Sequence, residues 1–247
     1  GINASERFGQ NWIFDANSNQ LSAGTCRLQA TDAGVRFSAD VSGLQITLQT
    51  QAALQRIEPP GHRLDIKKTF YEAELLVPYA KVSAEISNGD QLVNTTGAVH
   101  LDHARSNLLM PSAAACWIRF RGFFGTKPTL LQVRVPPQDG AVEGWIWPLS
   151  SATPSAIEGS QVSRRQTDNG FPILVVGDST HPVHLEAIRQ LYRYRPTESY
   201  GALGKLAAPW IGDPTTTTYR ATAKIGDGTS KGILEVLEVD KPGCGFQ

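Results

Sequence analysis

Leu44-Gln-Ile-Thr-Leu-Gln sets apolar and polar side chains strictly in turn, and the same period of two returns along the chain in short runs cut by turn residues. Successive side chains of a β-strand point to opposite faces, so runs of this kind are half-buried strands. They recur at Trp12 to Ala16, Thr25 to Ala30 and Gly34 to Ala39, with Asp32-Ala-Gly as punctuation. Phe70 to Val77 is longer and carries Glu72 and Glu74. Lys81 to Ser87 runs into Asn88-Gly-Asp, a hairpin signal, before Gln91. Leu130 to Val135 stops at Pro136-Pro137, and Asp139-Gly140 opens Val142 to Trp147. Ile173 to Gly177, Val183 onward, Tyr219 to Ile225 and Ile233 to Val239 complete the series, the last two around Gly226-Asp227-Gly228. Many short strands joined by Gly-, Pro- and Asp-rich turns predict an all-β sandwich or barrel.

Two stretches depart from that period. Leu185, Ile188, Leu191 and Tyr192 are spaced by three and four, which makes His184 to Tyr194 the best helix candidate, with a long strand as the other reading. Ser199 to Trp210 is a second short helix candidate. Ser150 to Ser160 reads as a connector, and Thr215 to Thr218 as a polar loop or edge strand.

Charge narrows the partners. Lys+Arg and Asp+Glu are equal at 23 each among 247 residues, so no basic field invites nucleic acid. No apolar run approaches the roughly 20 residues of a membrane-spanning helix. Cys26, Cys116 and Cys244 lack CxxC spacing, which leaves zinc and thioredoxin-like chemistry weak and buried thiols as the simplest reading. Localisation stays open, with glycosylation sequons at Asn3 and Asn94.

The chemistry concentrates between Gly97 and Phe124. Along the strand Ala98 to Arg105, His100 and Asp102 share one face, and Val99, Leu101, His103 and Arg105 share the other. Along Ala115 to Phe124, Trp117, Arg119 and Arg121 oppose Cys116, Ile118 and Phe120. Asp102 and His103 read as an acid–base couple, a structural hydrogen-bonded pair, or part of a metal site. His100-x-Asp102 with His181 or His184 has the composition of a facial triad for iron, with Arg189 or Arg195 for an oxo-acid carboxylate. A carboxyl group in an apolar cavity has its pKa raised, which suits proton donation to an alkene or an enone. Trp117, Arg119 and Arg121 suit a pocket wall or an ordinary amphipathic strand face, and Tyr71, Tyr79, Trp145 and Trp147 suit a cavity lining or plain core. Ser106 and Ser112 lack the Gly-x-Ser-x-Gly setting of a hydrolase nucleophile.

Gly97-x-x-x-Leu101-Asp102-His103 resembles the motif of a lipocalin-like family that includes carotenoid hydratases, tocopherol cyclase-like proteins and fungal Diels–Alderase-type pericyclases. Tyr71-Glu-Ala-Glu-Leu-Leu-Val-Pro is similar to the family strand before it, Trp117-Ile-Arg-Phe-Arg to the strand after it, and Lys231-Gly-Ile-Leu-Glu-Val-Leu-Glu to the closing strand. The chain departs from the pattern at Leu101, where an aromatic is usual, and at Ala104-Arg105-Ser106. The resemblance implies two lipocalin-like β-barrel or sandwich halves, 1–114 and 115–247. The first would be truncated or reduced, and an association with an amino-terminal segment ahead of Gly1 is expected. It further implies cyclisation, isomerisation or water addition on an apolar isoprenoid or polyketide held in a barrel cavity, with no organic cofactor and no metal. Asp102 would then be the acid, His100 and His103 its orienting partners, and Tyr71, Trp117, Arg119, Glu74 and Arg105 the substrate wall. The alternatives are a non-catalytic carrier of a hydrophobic molecule and, behind it, a non-haem iron oxygenase.

Overall fold

The computed structural model of the chain describes residues 12–108, 110–137, 142–148, 151–177, 182–199 and 214–239. It divides into two compact units, Gly1–Ile57 with Leu75–His103, and Glu58–Glu74 with Ala104–Gln247. Two long strands, β7 (Thr69–Asn88) and β8 (Gln91–Ser106), supply residues to both. Among the described residues no helix is long and apolar enough to cross a membrane.

The first unit is an antiparallel meander of β1 (Trp12–Asp15), β2 (Gln20–Ala23), β3 (Cys26–Thr31), β4 (Gly34–Val41) and β5 (Leu44–Thr50), continued by β7 with β8 beside it. Its core is Val35, Val77 and Ala80, packed by Leu28, Ala52, Val99 and Leu101. The hairpin signal at Asn88-Gly-Asp is the β7–β8 turn, where Gly89 takes φ +58°. β7 passes through Pro78 without a break. The β5 ladder covers Val82–Asn88 and a bridge joins Leu75 to Ile57, so on that side no hydrogen bond is asked of the missing N–H.

The second unit contains β6 (Arg63–Ile66), hairpinned on the first residues of β7, then a turn of helix, α1 (Met110–Ala113), and a closed barrel. The barrel strands are β9 (Cys116–Phe124), β10 (Lys127–Val135), β11 (Val142–Trp147), β12 (Ser155–Gln166), β13 (Pro172–Gly177), β14 (Val183–Tyr194), β15 (Pro214–Ile225) and β16 (Gly228–Val239), with α2 (Pro196–Ser199) after β14. Each pairs antiparallel with its neighbour, and β16 closes on β9. An eight-stranded barrel is just wide enough for side chains to fill. Ile118, Phe120, Val133, Leu174, Leu185 and Leu234 fill this one, each fully buried. At the closing seam Gly232 faces Gly122. A Cβ on Gly232 would lie 2.2 Å from the Arg121 carbonyl oxygen and 2.5 Å from the Gly122 Cα, so the seam needs glycine there.

The fold is therefore all-β and lipocalin-like, with one sheet a closed barrel. Three local expectations are corrected. His184 to Tyr194 is strand, not helix: β14 pairs with β13 and β15 and breaks register between Ala187 and Arg189 and again between Gln190 and Tyr192. Each bulge inserts a residue into a period of two, which produces spacings of three without a helix. The connector expected at Ser150–Ser160 gives way to β12 from Ser155. Thr215 to Thr218 is neither loop nor edge; it lies in β15, paired with β16 throughout and with β14 at Thr216 to Thr218. The helix expected from Ser199 falls at residues 200–213 outside the described residues, beyond α2.

Candidate functional site

Alternation along β9 decides what faces where. Cys116, Ile118 and Phe120 enter the barrel core, so Trp117, Arg119 and Arg121 point out of it. Register then builds the outer face. Trp117 stands opposite Arg134, which stands opposite Glu143; Arg119 stands opposite Gln132, which stands opposite Trp145. On the far side of β9, Glu235 receives both Arg119 Nη2 at 3.1 Å and Arg121 Nη1 at 2.6 Å. A charged pair of rows is tolerable here because each guanidinium reaches a carboxylate, Arg119 and Arg121 sharing Glu235.

The β6–β7 hairpin lies in the same unit. Leu64 pairs with Tyr71, and Leu64, Ile66 and Tyr71 pack with Trp117, Leu108, Ala113, Ala114 and Leu237. Tyr71 meets Trp117 edge-on. Arg63 and Phe70 belong to a network beside them. Arg63 donates to both oxygens of Asp65 and to Glu72 Oε2 at 2.7 Å, and Arg105 donates to Glu72 Oε1 at 2.9 Å. Both guanidinium groups lie over the Phe70 ring, at 4.9 and 5.9 Å. The hydrogen bond from Arg105, and then that from Arg63, hold the Glu72 carboxyl below its ordinary pKa against the effect of burial.

Between hairpin and barrel face lies a cavity of about 80 Å³ walled by Arg63, Leu64, Tyr71, Trp117, Gln132, Arg134, Glu143 and Trp145, with Gly61 and Gly144. Arg134 donates to the Ala113 carbonyl at 2.7 Å and pairs with Glu143. Gly144 must be glycine, since a Cβ would come within 2.1 Å of the Gln132 carbonyl oxygen. The indole N–H groups of Trp117 and Trp145 are both buried and make no hydrogen bond among the described residues. An unsatisfied buried donor costs about 1–3 kcal/mol, so two in one cavity wall are a notable expense.

The first unit holds the other nominated residues. His100 and Asp102 share a face of β8 as the alternation requires, with Nε2 at 3.6 Å from Oδ2. The His100 side chain is 7% exposed and its Nδ1 is buried without a partner among the described residues, while the Asp102 side chain is 36% exposed. His103 belongs to the opposite face and is exposed. An apolar cavity of about 150 Å³ opens among Leu28, Phe37, Leu48, Val77, Val99 and Leu101. Val99 and Leu101 line it, so Asp102 lies on the face of β8 turned away from it.

Of the expected wall, Tyr71 and Trp117 are brought together, Arg119 is turned to Glu235, Arg105 is anchored on Glu72 at the surface, and Glu74 is half-buried at the limit of the second unit. Gln132, Arg134, Glu143 and Arg63 were not anticipated; alternation marks them as one face of their strands, but only register shows that they converge. Among the described residues no group of three or more His, Cys, Asp or Glu is gathered as a metal would require; His184 is exposed on β14, and His181 lies outside the described residues. Cys116, expected as a buried thiol, is disulfide-bonded.

No family model and no curated protein sequence matches the chain. Solved structures do share its fold. A Nitrosomonas europaea protein provisionally called AttH superposes with a TM-score of 0.61 at 12% identity, over 88% of this chain and 68% of that one. Kievitone hydratase from Nectria haematococca gives 0.55 at 10% identity, over 88% and 70%. CghA with Sch210972 gives 0.49 at 10% identity, over 91% and 71%.

Proposed function

We propose that the chain is an enzyme of the hydratase or cyclase/isomerase kind, acting without an organic cofactor on an apolar isoprenoid or polyketide. The observation that carries this reading is the cavity on the outer face of the barrel, where an aromatic wall and fixed polar groups meet in one small volume. At about 80 Å³ it has room for a functional group rather than a whole substrate, against roughly 300–1,000 Å³ for drug-sized ligands. The barrel interior is packed with side chains, so the reading moves the substrate from the barrel lumen to its outer wall. The shared fold with a hydratase supports the reading as analogy.

Tyr71 and Trp117 would hold the substrate in a reactive conformer, which removes entropy from the barrier. In hydration a proton goes to one alkene carbon and the water oxygen to the other; in cyclisation no atom is lost. A separate acid candidate, Asp102 with His100 on the same strand face and His103 on the other, belongs to the first unit. A carrier is the second reading, and the wholly apolar cavity of the first unit favours it. Incubation with a panel of isoprenoids and polyketide enones, read by mass spectrometry, separates the two. A product of unchanged mass, or heavier by one water, and lost in Asp102→Ala, supports the enzyme. Ligands retained and extracted unchanged across the whole panel would overturn it.

A further inference from the structure

We infer that the outer-face cavity of the barrel is a site for a neutral carbonyl oxygen, received by the indole N–H groups of Trp117 and Trp145. This rests on the reading of the same cavity as the substrate pocket. It adds the chemical class of the group that enters: a ketone or enone rather than a carboxylate or a bare hydrocarbon.

Three observations carry it. The two indoles stand on β9 and β11, one strand apart, on the same outer face, and both line the cavity. Each is almost wholly buried, at 6% and 5% exposure, and neither N–H has an acceptor among the described residues. An indole N–H donates and cannot accept, so its complement is an oxygen with lone pairs. A carbonyl oxygen has two and takes two donors at once.

The charges decide between carbonyl and carboxylate. The wall carries Arg63 and Arg134, which would suit an anion if their charge were available. Arg134 is paired with Glu143, itself in the wall. Arg63 is held by Asp65 and Glu72, and Glu72 also holds Arg105. The guanidinium groups of Arg63, Arg134 and Arg105 are matched by the carboxylates of Asp65, Glu72 and Glu143, so an entering carboxylate would meet Glu143 while the cations of the wall are already paired. Two donors carried on barrel strands would polarise an enone whose oxygen they share, and they need little reorganisation as charge builds on that oxygen.

The test is a proton–nitrogen correlation spectrum of the full chain titrated with 2-butanone and, separately, with sodium acetate. The chain has five tryptophans, so two indole signals report the site and three serve as internal standards. Trp117→Phe and Trp145→Phe assign the two, and unchanged positions of the remaining indole signals show that each variant is folded. Should either variant unfold, slower solvent exchange of the same two indole protons in the native chain, on adding the ketone, gives the answer without a substitution. The expected result is that the ketone shifts both signals together, with an affinity about tenfold lower in either variant, the worth of one hydrogen bond. A titration that leaves all five signals in place overturns the inference, and so does acetate moving the same pair at lower concentration than the ketone. Binding is read without turnover. The carbonyl site can therefore stand if no reaction is found. Turnover of a substrate with no carbonyl, alongside unmoved indole signals, would sink the site and leave the enzyme reading intact.

Discussion

Tyr71 meets Trp117 edge to face, with ring centroids 4.7 Å apart and ring planes at 62°. Tyr71 comes from the β6–β7 hairpin and Trp117 from the strand that opens the barrel, so the contact fixes the hairpin against the outer barrel face. Such pairs are worth about 0.5–1.5 kcal/mol beyond the area they bury. Tyr71→Leu should therefore lower the melting temperature by about 2–4 °C for each kcal/mol lost in a chain of this size. An unchanged melt would mean that Tyr71 does not hold the hairpin.

Closure of the barrel depends on the β9–β16 seam. Gly232→Ala sets a methyl against the Arg121 carbonyl and the Gly122 Cα. Both are backbone of a paired strand, so neither can turn aside as a flexible side chain would. Overpacking of this kind costs about 1–3 kcal/mol. Thermal or urea unfolding of the variant gives the loss directly, and a wild-type midpoint would show that the seam has slack.

How far the sequence carries can be judged from three strands. β11 is legible to the residue, Val142 to Trp147, because Asp139-Gly140 precedes it and Pro148 ends it. β14 reads first as a helix and second as the long strand it is, because its bulges insert the extra residues that turn a spacing of two into three. β7 reads as two strands because Pro78 looks like a stop, yet it falls where no β5 partner needs its N–H. For the site, alternation places Trp117 outside the barrel and His100 with Asp102. It cannot place Trp145 beside Gln132 or Arg134 beside Glu143, because those pairs are set by the register of strands joined through turns. That is why the nominated residues fall in two separate units and the cavity wall was only partly foreseen.

Three cysteines with Cys116 in a disulfide leave one thiol per chain. Thiol titration of the denatured chain should find about one without reductant and about three after it. Three thiols without reductant, in protein prepared under oxidising conditions, would remove the bridge.

Glu72 links stability to pH. Its folded pKa lies below the ordinary 4.5, so in the window between them the unfolded chain binds more protons and stability rises with pH. The contribution is complete above the unfolded value and is lost as pH falls through the folded one. Glu72→Gln should thus lower the melting temperature at neutral pH and matter progressively less in acid. The effect is modest, since Arg105 is mostly exposed and its pair is screened. Equal deficits at about pH 7 and about pH 3 would show that the two arginines do not act through the charge of Glu72.

His100 and Asp102 give the sharpest test of mechanism. At 3.6 Å their nearest nitrogen and oxygen are too far apart for a good hydrogen bond, and His100 keeps a buried Nδ1 without a partner among the described residues. General acid–base catalysis is typically worth about 10² to 10⁴ in rate, so Asp102→Asn, which keeps the shape but cannot pass a proton, should lower turnover by at least about tenfold while the fold survives. If the carboxyl serves only as a hydrogen-bond donor, Asn retains activity and Ala loses it. The two variants together therefore distinguish proton transfer from polarisation. Circular dichroism and a melt of each variant show whether a loss is one of chemistry or of folding. Full turnover in a folded Asp102→Ala chain would take Asp102 out of the mechanism and leave the barrel face, with Tyr71, Trp117 and Trp145, as the place where the reaction is controlled.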